Sequence, residues 1–177
     1  MLATIVLVFV AVVTLGLVLT VVMHVFLHVP YVGTPPKVAR RMVELARLTG
    51  RERVVDLGAG DGRVLFAAKR MHPGITAVGC EIVPTVWCLG VIRKLFERLP
   101  VTLQLKSALA EDLRSTDVLL LYVTPPLMNK LLPKFERELR PGTRIVSHAF
   151  HVPGKIPQEK VEVERPWGKA MLYAYVW

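Results

Sequence analysis

Ten residues, Val54-Val55-Asp56-Leu57-Gly58-Ala59-Gly60-Asp61-Gly62-Arg63, restrict what this chain can fold into more than any other stretch. An apolar run that ends in an acid and passes into three alternate glycines predicts a buried strand, a tight turn and the start of a helix. Glycine reaches backbone conformations closed to other residues and carries no side chain, so backbone can come close to a ligand here. Dinucleotide folds want glycine at the first, third and sixth positions of such a loop. Here the spacing is G-x-G-x-G, with Gly62 fifth and Arg63 sixth. Thr76-Ala77-Val78-Gly79-Cys80-Glu81 then predicts a second buried strand with an acid at its end. That acid falls about 20 residues past the loop, where such folds place the carboxylate for the ribose hydroxyls.

The remaining pattern alternates helices and strands, as a parallel α/β sheet requires. Residues 37–48 predict a helix with Val38, Met42, Leu45 and Leu48 on one face and Gly50 as its closing cap. Helix 63–71 ends at Pro73-Gly74. Pro84 opens a helix to about Arg98, with Val86, Leu89, Ile92, Leu95 and Leu99 as its apolar stripe. Strand 101–105, connector 107–113 and strand 117–123 follow, and then a loop, Thr124-Pro125-Pro126-Leu127. Helix 127–139, strand 143–147, an irregular stretch over 148–159 and a hairpin of 160–165 with 170–176 complete the chain.

Of 177 residues, 23 are Lys or Arg and 14 Asp or Glu, and every one of these charges lies after position 36. Residues 37–177 suffice for one α/β domain and not for two. Residues 2–29 hold no charge and no proline. At 1.5 Å per residue that run spans about 42 Å, against a hydrocarbon core of ~30 Å. The expected organisation is a transmembrane helix at 1–29, a hinge at 30–36 and a catalytic domain at 37–177. No basic n-region or A-x-A-like site points to a cleaved signal peptide. Lys37, Arg40, Arg41 and Arg47 follow the span, so the positive-inside rule predicts a single-pass membrane protein with a cytoplasmic domain. His24 and His28, one turn apart, read as interfacial residues, and Tyr31 as an interfacial anchor. The net charge of +9 suits the lipid bilayer or an acidic partner. No array of basic and aromatic residues points to nucleic acid. Cys80 and Cys88 lack metal or disulfide spacing and read as reduced core or near-core residues.

The acid-plus-glycine pattern resembles the first motif of class I S-adenosylmethionine-dependent methyltransferases, and a terminal hairpin is a mark of that class. The Thr124 loop stands where adenine and glutamine methyltransferases carry Asn/Asp-Pro-Pro-Tyr. Its departures, Thr and Leu, argue against base or glutamine methylation. Taken with Pro30-Tyr31-Val32-Gly33-Thr34-Pro35, Glu81-Ile82-Val83-Pro84, Tyr122-Val123-Thr124-Pro125 and Leu139-Arg140-Pro141-Gly142-Thr143-Arg144, the chain resembles the membrane-anchored lysine methyltransferases. Mitochondrial members of that family modify the c-type subunit of ATP synthase and the adenine nucleotide translocase.

The resemblance implies S-adenosylmethionine as cofactor, held by Asp56, Gly58, Gly60, Gly62 and Glu81. Adenine falls to Ser107, Glu111 or Asp112, and Ser107 stands where relatives more often have Asn. Acceptor candidates are Tyr31, Thr34, Tyr122 and Thr124. The implied substrate is a lysine of a membrane protein, the implied mechanism is positioning without a general base, and no metal is implied for His148 and His151. Methylation of a lipid or quinone, or a non-catalytic tethered scaffold, are the rival readings.

Overall fold

The computed structural model describes residues 1–27, 32–165 and 167–177, without side chains at 19, 20 and 23–27. The strands are β1 (Arg53–Leu57), β2 (Thr76–Glu81), β3 (Val101–Leu105), β4 (Val118–Leu121), β5 (Arg144–His148), β6 (Glu159–Arg165) and β7 (Gly168–Val176). They form one sheet in the order β3-β2-β1-β4-β5-β7-β6. The first five are parallel, and β7 runs antiparallel to both β5 and β6. This is the seven-strand Rossmann-like methyltransferase sheet with its closing hairpin. The chain leaves β1 toward β2 and β3, then returns to place β4 on the other side of β1. The order therefore reverses between β1 and β4, which opens a crevice at the carboxyl ends of those strands.

Continuous apolar runs make the central strands, as burial on both faces demands. All four residues of β4 are buried, as are Val54, Val55, Asp56 and Leu57 of β1. One face is covered by α2 (Pro36–Leu45) and α3 (Arg63–Met71), through residues such as Met42, Val43, Leu65 and Phe66. The other is covered by α5 (Pro125–Glu138), through Met128, Leu131 and Phe135.

Three readings of the helices change. Helix α2 ends at Leu45, and the left-handed residue that follows is Arg47 (φ 49°), not Gly50. The reason is tertiary: the Arg144 guanidinium on β5 donates to the carbonyls of Ala46 (2.7 Å) and Arg47, capping the negative end of the helix. Gly50 instead turns its N–H to Glu52 Oε2 at 2.9 Å. In α4 (Pro84–Glu97) the buried face is Val86 and Gly90, while Leu89, Ile92 and Leu95 of the expected stripe are exposed. A Cβ at Gly90 would lie 2.8 Å from Leu103 Cδ1, so α4 packs through its smallest residue and turns the larger ones outward. Cys80 on β2 is buried, but Cys88 on α4 is exposed.

The leader is helical, α1 (Leu2–Leu27), and its described side chains are almost all exposed. Among the described residues, however, no helix is long and apolar enough to cross a membrane. The expected transmembrane helix is corrected on this ground. The single-pass membrane location and the cytoplasmic placement inferred from it are corrected with it, and the bilayer as a partner is left without support. His28, Pro30 and Tyr31 lie outside the described residues, as does the side chain of His24.

Strand β2 lies against the glycine loop because residue 79 has no side chain: a Cβ there would meet Ala59 Cβ and Leu65 Cδ1, each at 2.7 Å. Gly79→Val is expected to lower stability by about 1–3 kcal/mol through overpacking, read as a shift in the urea midpoint at unchanged slope.

Candidate active site

The glycine loop is shaped by its backbone and tied to β2 by consecutive amides. Gly58, Gly60 and Gly62 all have positive φ (80°, 60° and 76°), a region in which a side chain is strained. The N–H groups of Gly58 and Ala59 both donate to Cys80 O at 2.9 Å, and that of Gly60 donates to Glu81 Oε2 at 3.0 Å. The other carboxylate oxygen of Glu81 accepts from Val83 N–H at 2.8 Å. Two amides from different segments thus fix one acid at the strand end.

Beside it, Asp61 accepts from Arg63 Nη2 and Arg93 Nη2, each at 2.7 Å. Arg63 Nη1 in turn donates to Thr34 O at 3.0 Å. The segment 32–34 is therefore strapped across the loop, and Gly33 fits because a Cβ there would lie 3.0 Å from the Arg63 guanidinium carbon.

These groups wall a cavity of about 410 Å³ at the crevice between β1 and β4. Asp56, Asp61 and Glu81 all line it. Burial opposes ionisation of Asp61, but the hydrogen bonds and charges of Arg63 and Arg93 outweigh it and hold that carboxyl below its usual range. Among the described residues, no cation is set beside Asp56 to offset its burial. Burial, then the charges of Glu81 and Asp61, push it up to about 7.

The expected residues are largely brought together. Asp56, Gly58, Gly60, Glu81, Ser107, Thr34, Tyr122 and Thr124 all line this cavity. Ser107 Oγ accepts from Leu109 N–H at 3.3 Å, capping a short 3₁₀ turn at Ala108–Ala110. Gly62 lies behind the lining as the N-cap of α3. Asp112 is outside it: the residue is exposed and its Oδ1 accepts from Arg114 N–H at 3.0 Å, a local turn. Glu111 is buried and faces Arg53 and Lys106. Tyr31 is outside the described residues. Sequence reasoning passed over Asp61, Arg63 and Phe150, which also line the cavity, and Arg93, which serves Asp61. The Asp61-x-Arg63 spacing inside the loop was a usable signal, whereas nothing in the sequence ties Arg93 to it.

Residues 56–159 match the ANTKMT methyltransferase domain family. The chain belongs to this family. A protein-lysine N-methyltransferase of Saccharolobus islandicus (strain REY15A) is 36% identical over 151 residues, covering 84% of this chain and 94% of that protein. The mouse adenine nucleotide translocase lysine N-methyltransferase is 33% identical over 134 residues, 72% of this chain and 56% of its own length. The human lysine N-methyltransferase of the ATP synthase c-type subunit is 30% identical over 132 residues, 72% of this chain and 54% of its own. The chain thus spans about half the length of these two relatives. Among solved structures, an RNA methyltransferase from Salinibacter ruber in complex with S-adenosyl-L-homocysteine superposes with a TM-score of 0.75 at 31% identity. It covers 82% of this chain and 93% of that one.

This methyltransferase uses S-adenosylmethionine, and the cavity fits it on physical grounds. The cofactor carries a sulfonium and an ammonium, and three carboxylates line the site while no Cβ fills the space over Gly58 or Gly60. Above the unfolded value near 3.9, Asp56 in the folded free protein keeps its proton until about pH 7. The folded state therefore binds more protons in that window, and stability falls as pH rises through it. Asp56→Asn is expected to remove this component, by up to about 1.4 kcal/mol per pH unit, in urea titrations of the free protein from pH 4 to 8.

Proposed function

We propose that this methyltransferase transfers a methyl group to a lysine side chain of a protein. The observation that carries the reading is the meeting, in one cavity, of the glycine loop and Glu81 with an acceptor side made of Tyr122 and Thr124. The 36% identity to a protein-lysine N-methyltransferase over 84% of the chain supports it. Asp56, Gly58, Gly60 and Glu81, with Gly62 turning the backbone into α3, are assigned to the cofactor, and Ser107 to the adenine side. Asp112 is not carried into that set. Residues 37–177 form the catalytic unit, following a leader that is helical over Leu2–Leu27.

When bound, the cofactor would supply an activated methyl to a lysine that has already given its proton to water, the carbon–sulfur electron pair staying on the departing thioether and the product being a methylammonium. The protein's own residues position the amine and keep it neutral. A free lysine has a pKa near 10.4, so neutrality at pH 7 costs about 4–5 kcal/mol unless the site lowers that pKa. The positive end of α5 helps, because Thr124, Pro126 and Leu127 at its start line the cavity.

One rival has an observation of its own, since the Salinibacter ruber relative is named as an RNA methyltransferase. The start of α5 speaks against methylation of a base amine here, because Thr124 at its N-cap provides neither the amide nor the acid that would hold a planar amine. Incubating cell extract with the protein and methyl-labelled cofactor, then separating polypeptide, RNA and organic fractions, tests this. Label is expected in polypeptide, at lysine by mass spectrometry. Label confined to RNA or to the organic extract would overturn the reading. Glu81→Ala is expected to weaken cofactor binding about 10- to 100-fold, the worth of hydrogen bonds to a charged group, and Gly58→Arg to abolish it, both by calorimetry.

A further inference from the structure

Two half-buried aromatic side chains also line the cavity, Tyr122 just past β4 and Phe150 just past β5. Each is held by a local contact. Behind Tyr122 lies His148, whose ring is 3.9 Å from the tyrosine ring, centroid to centroid, and tilted by 31°. His148 is fully buried, and among the described residues neither ring nitrogen has a hydrogen-bond partner. Leaving both nitrogens of a buried imidazole unpaired is costly, so the ring is retained at this place against a penalty.

Phe150 is placed by Ala149, one of three non-glycine residues with positive φ (67°) among those described. Phe150 N–H donates to His148 O at 2.9 Å, closing a three-residue turn of the rare, strained kind. Ser147 Oγ donates to Phe150 O at 2.6 Å and locks the turn. Strain of this sort persists where the surroundings over-determine it, and it clusters at functional sites.

We propose that Tyr122 and Phe150 form an aromatic subsite for an alkylammonium group, with His148 as a positioning residue that braces Tyr122. The proposal rests on the lysine reading above and gives that reading its acceptor side. A cation over the face of a tyrosine or phenylalanine is attracted by the ring quadrupole within about 6 Å. Such a subsite favours the ammonium that methyl transfer creates and packs the methylenes that lead to it. The state of His148 suits a brace rather than a base. Burial, then the charge of Arg165, lowers its pKa to about 4, so the ring stays neutral and sets no charge behind Tyr122. Lys130 also lines the cavity, but it is exposed and its ammonium can turn to solvent.

The test uses the full chain loaded with S-adenosylhomocysteine, titrated with Nα-acetyl-Nε-trimethyl-lysine amide and with the uncharged analogue bearing a tert-butyl group in place of trimethylammonium. The cation is expected to bind at least 5-fold more tightly than its isostere, and this preference should vanish in Tyr122→Leu and Phe150→Leu. His148→Ala should weaken cation binding at least 5-fold, and His148→Phe, which restores a ring, should recover most of the loss. Binding of S-adenosylhomocysteine, unchanged within 2-fold in each variant, shows that the fold is intact. Equal affinity for the cation and its isostere would overturn the subsite. Loss in His148→Phe as deep as in His148→Ala would overturn the brace, because the nitrogens and not the ring would then matter. If the preference holds and no polypeptide lysine is methylated, the lysine reading fails while the subsite stands. If S-adenosylhomocysteine itself does not bind, both fail together.

Discussion

Three consecutive amides, those of Gly58, Ala59 and Gly60, are spent on the end of β2, and the site depends on that tie. It holds the loop against its neighbouring strand and fixes one oxygen of Glu81 while the Val83 amide fixes the other. Gly79 is the matching concession on β2, since any side chain there would strike the loop. Glycine loop and sheet are therefore one packing problem. The loop cannot shift without breaking hydrogen bonds at the centre of the fold.

Electrostatics sorts the three carboxylates of the cavity. Asp61 is compensated by two arginines, and Glu81 by two backbone amides. Among the described residues no cation offsets Asp56, and burial with the charges of Glu81 and Asp61 raises its pKa. A cationic ligand supplies what is missing, which is the physical sense of an acid in this motif. Asp61 does structural work, carrying Arg63 to the carbonyl of Thr34 so that the segment before α2 closes over the loop. Cys80, next in line on β2, takes no part in this chemistry. Burial, then the adjacent Glu111 charge, pushes its thiol up to about 12.

The far end of the sheet is organised by another acid. Glu52 accepts from the N–H groups of Thr49, Gly50 and Arg51 and from Arg144 Nη2, and Arg144 also caps α2. One ion pair thus links helix, turn and β5. It explains why α2 stops where it does, and why the Gly50 cap expected from the sequence is used for a different turn.

The sequence by itself determined the sheet class, the glycine loop and the acid Glu81 at the end of β2, because these rest on local rules: an apolar run, glycines at positive φ, and an acid at a strand end. Strand β2, helix α3 and strand β3 have the bounds that their patterns predict. Legibility failed where a neighbour distant in the chain decides. Periodicity shows that α4 has an apolar stripe, but it does not show that Gly90 lets the opposite face approach Leu103, leaving Leu89, Ile92 and Leu95 outside. An uncharged leader predicts a membrane span from composition, whereas the described helix does not supply one. Only the tertiary structure brought Arg93 to Asp61, or His148 to the back of Tyr122. Those contacts join strands and helices whose spacing along the chain carries no trace of their meeting. The sheet order places them together, and the order is fixed by packing across the whole domain.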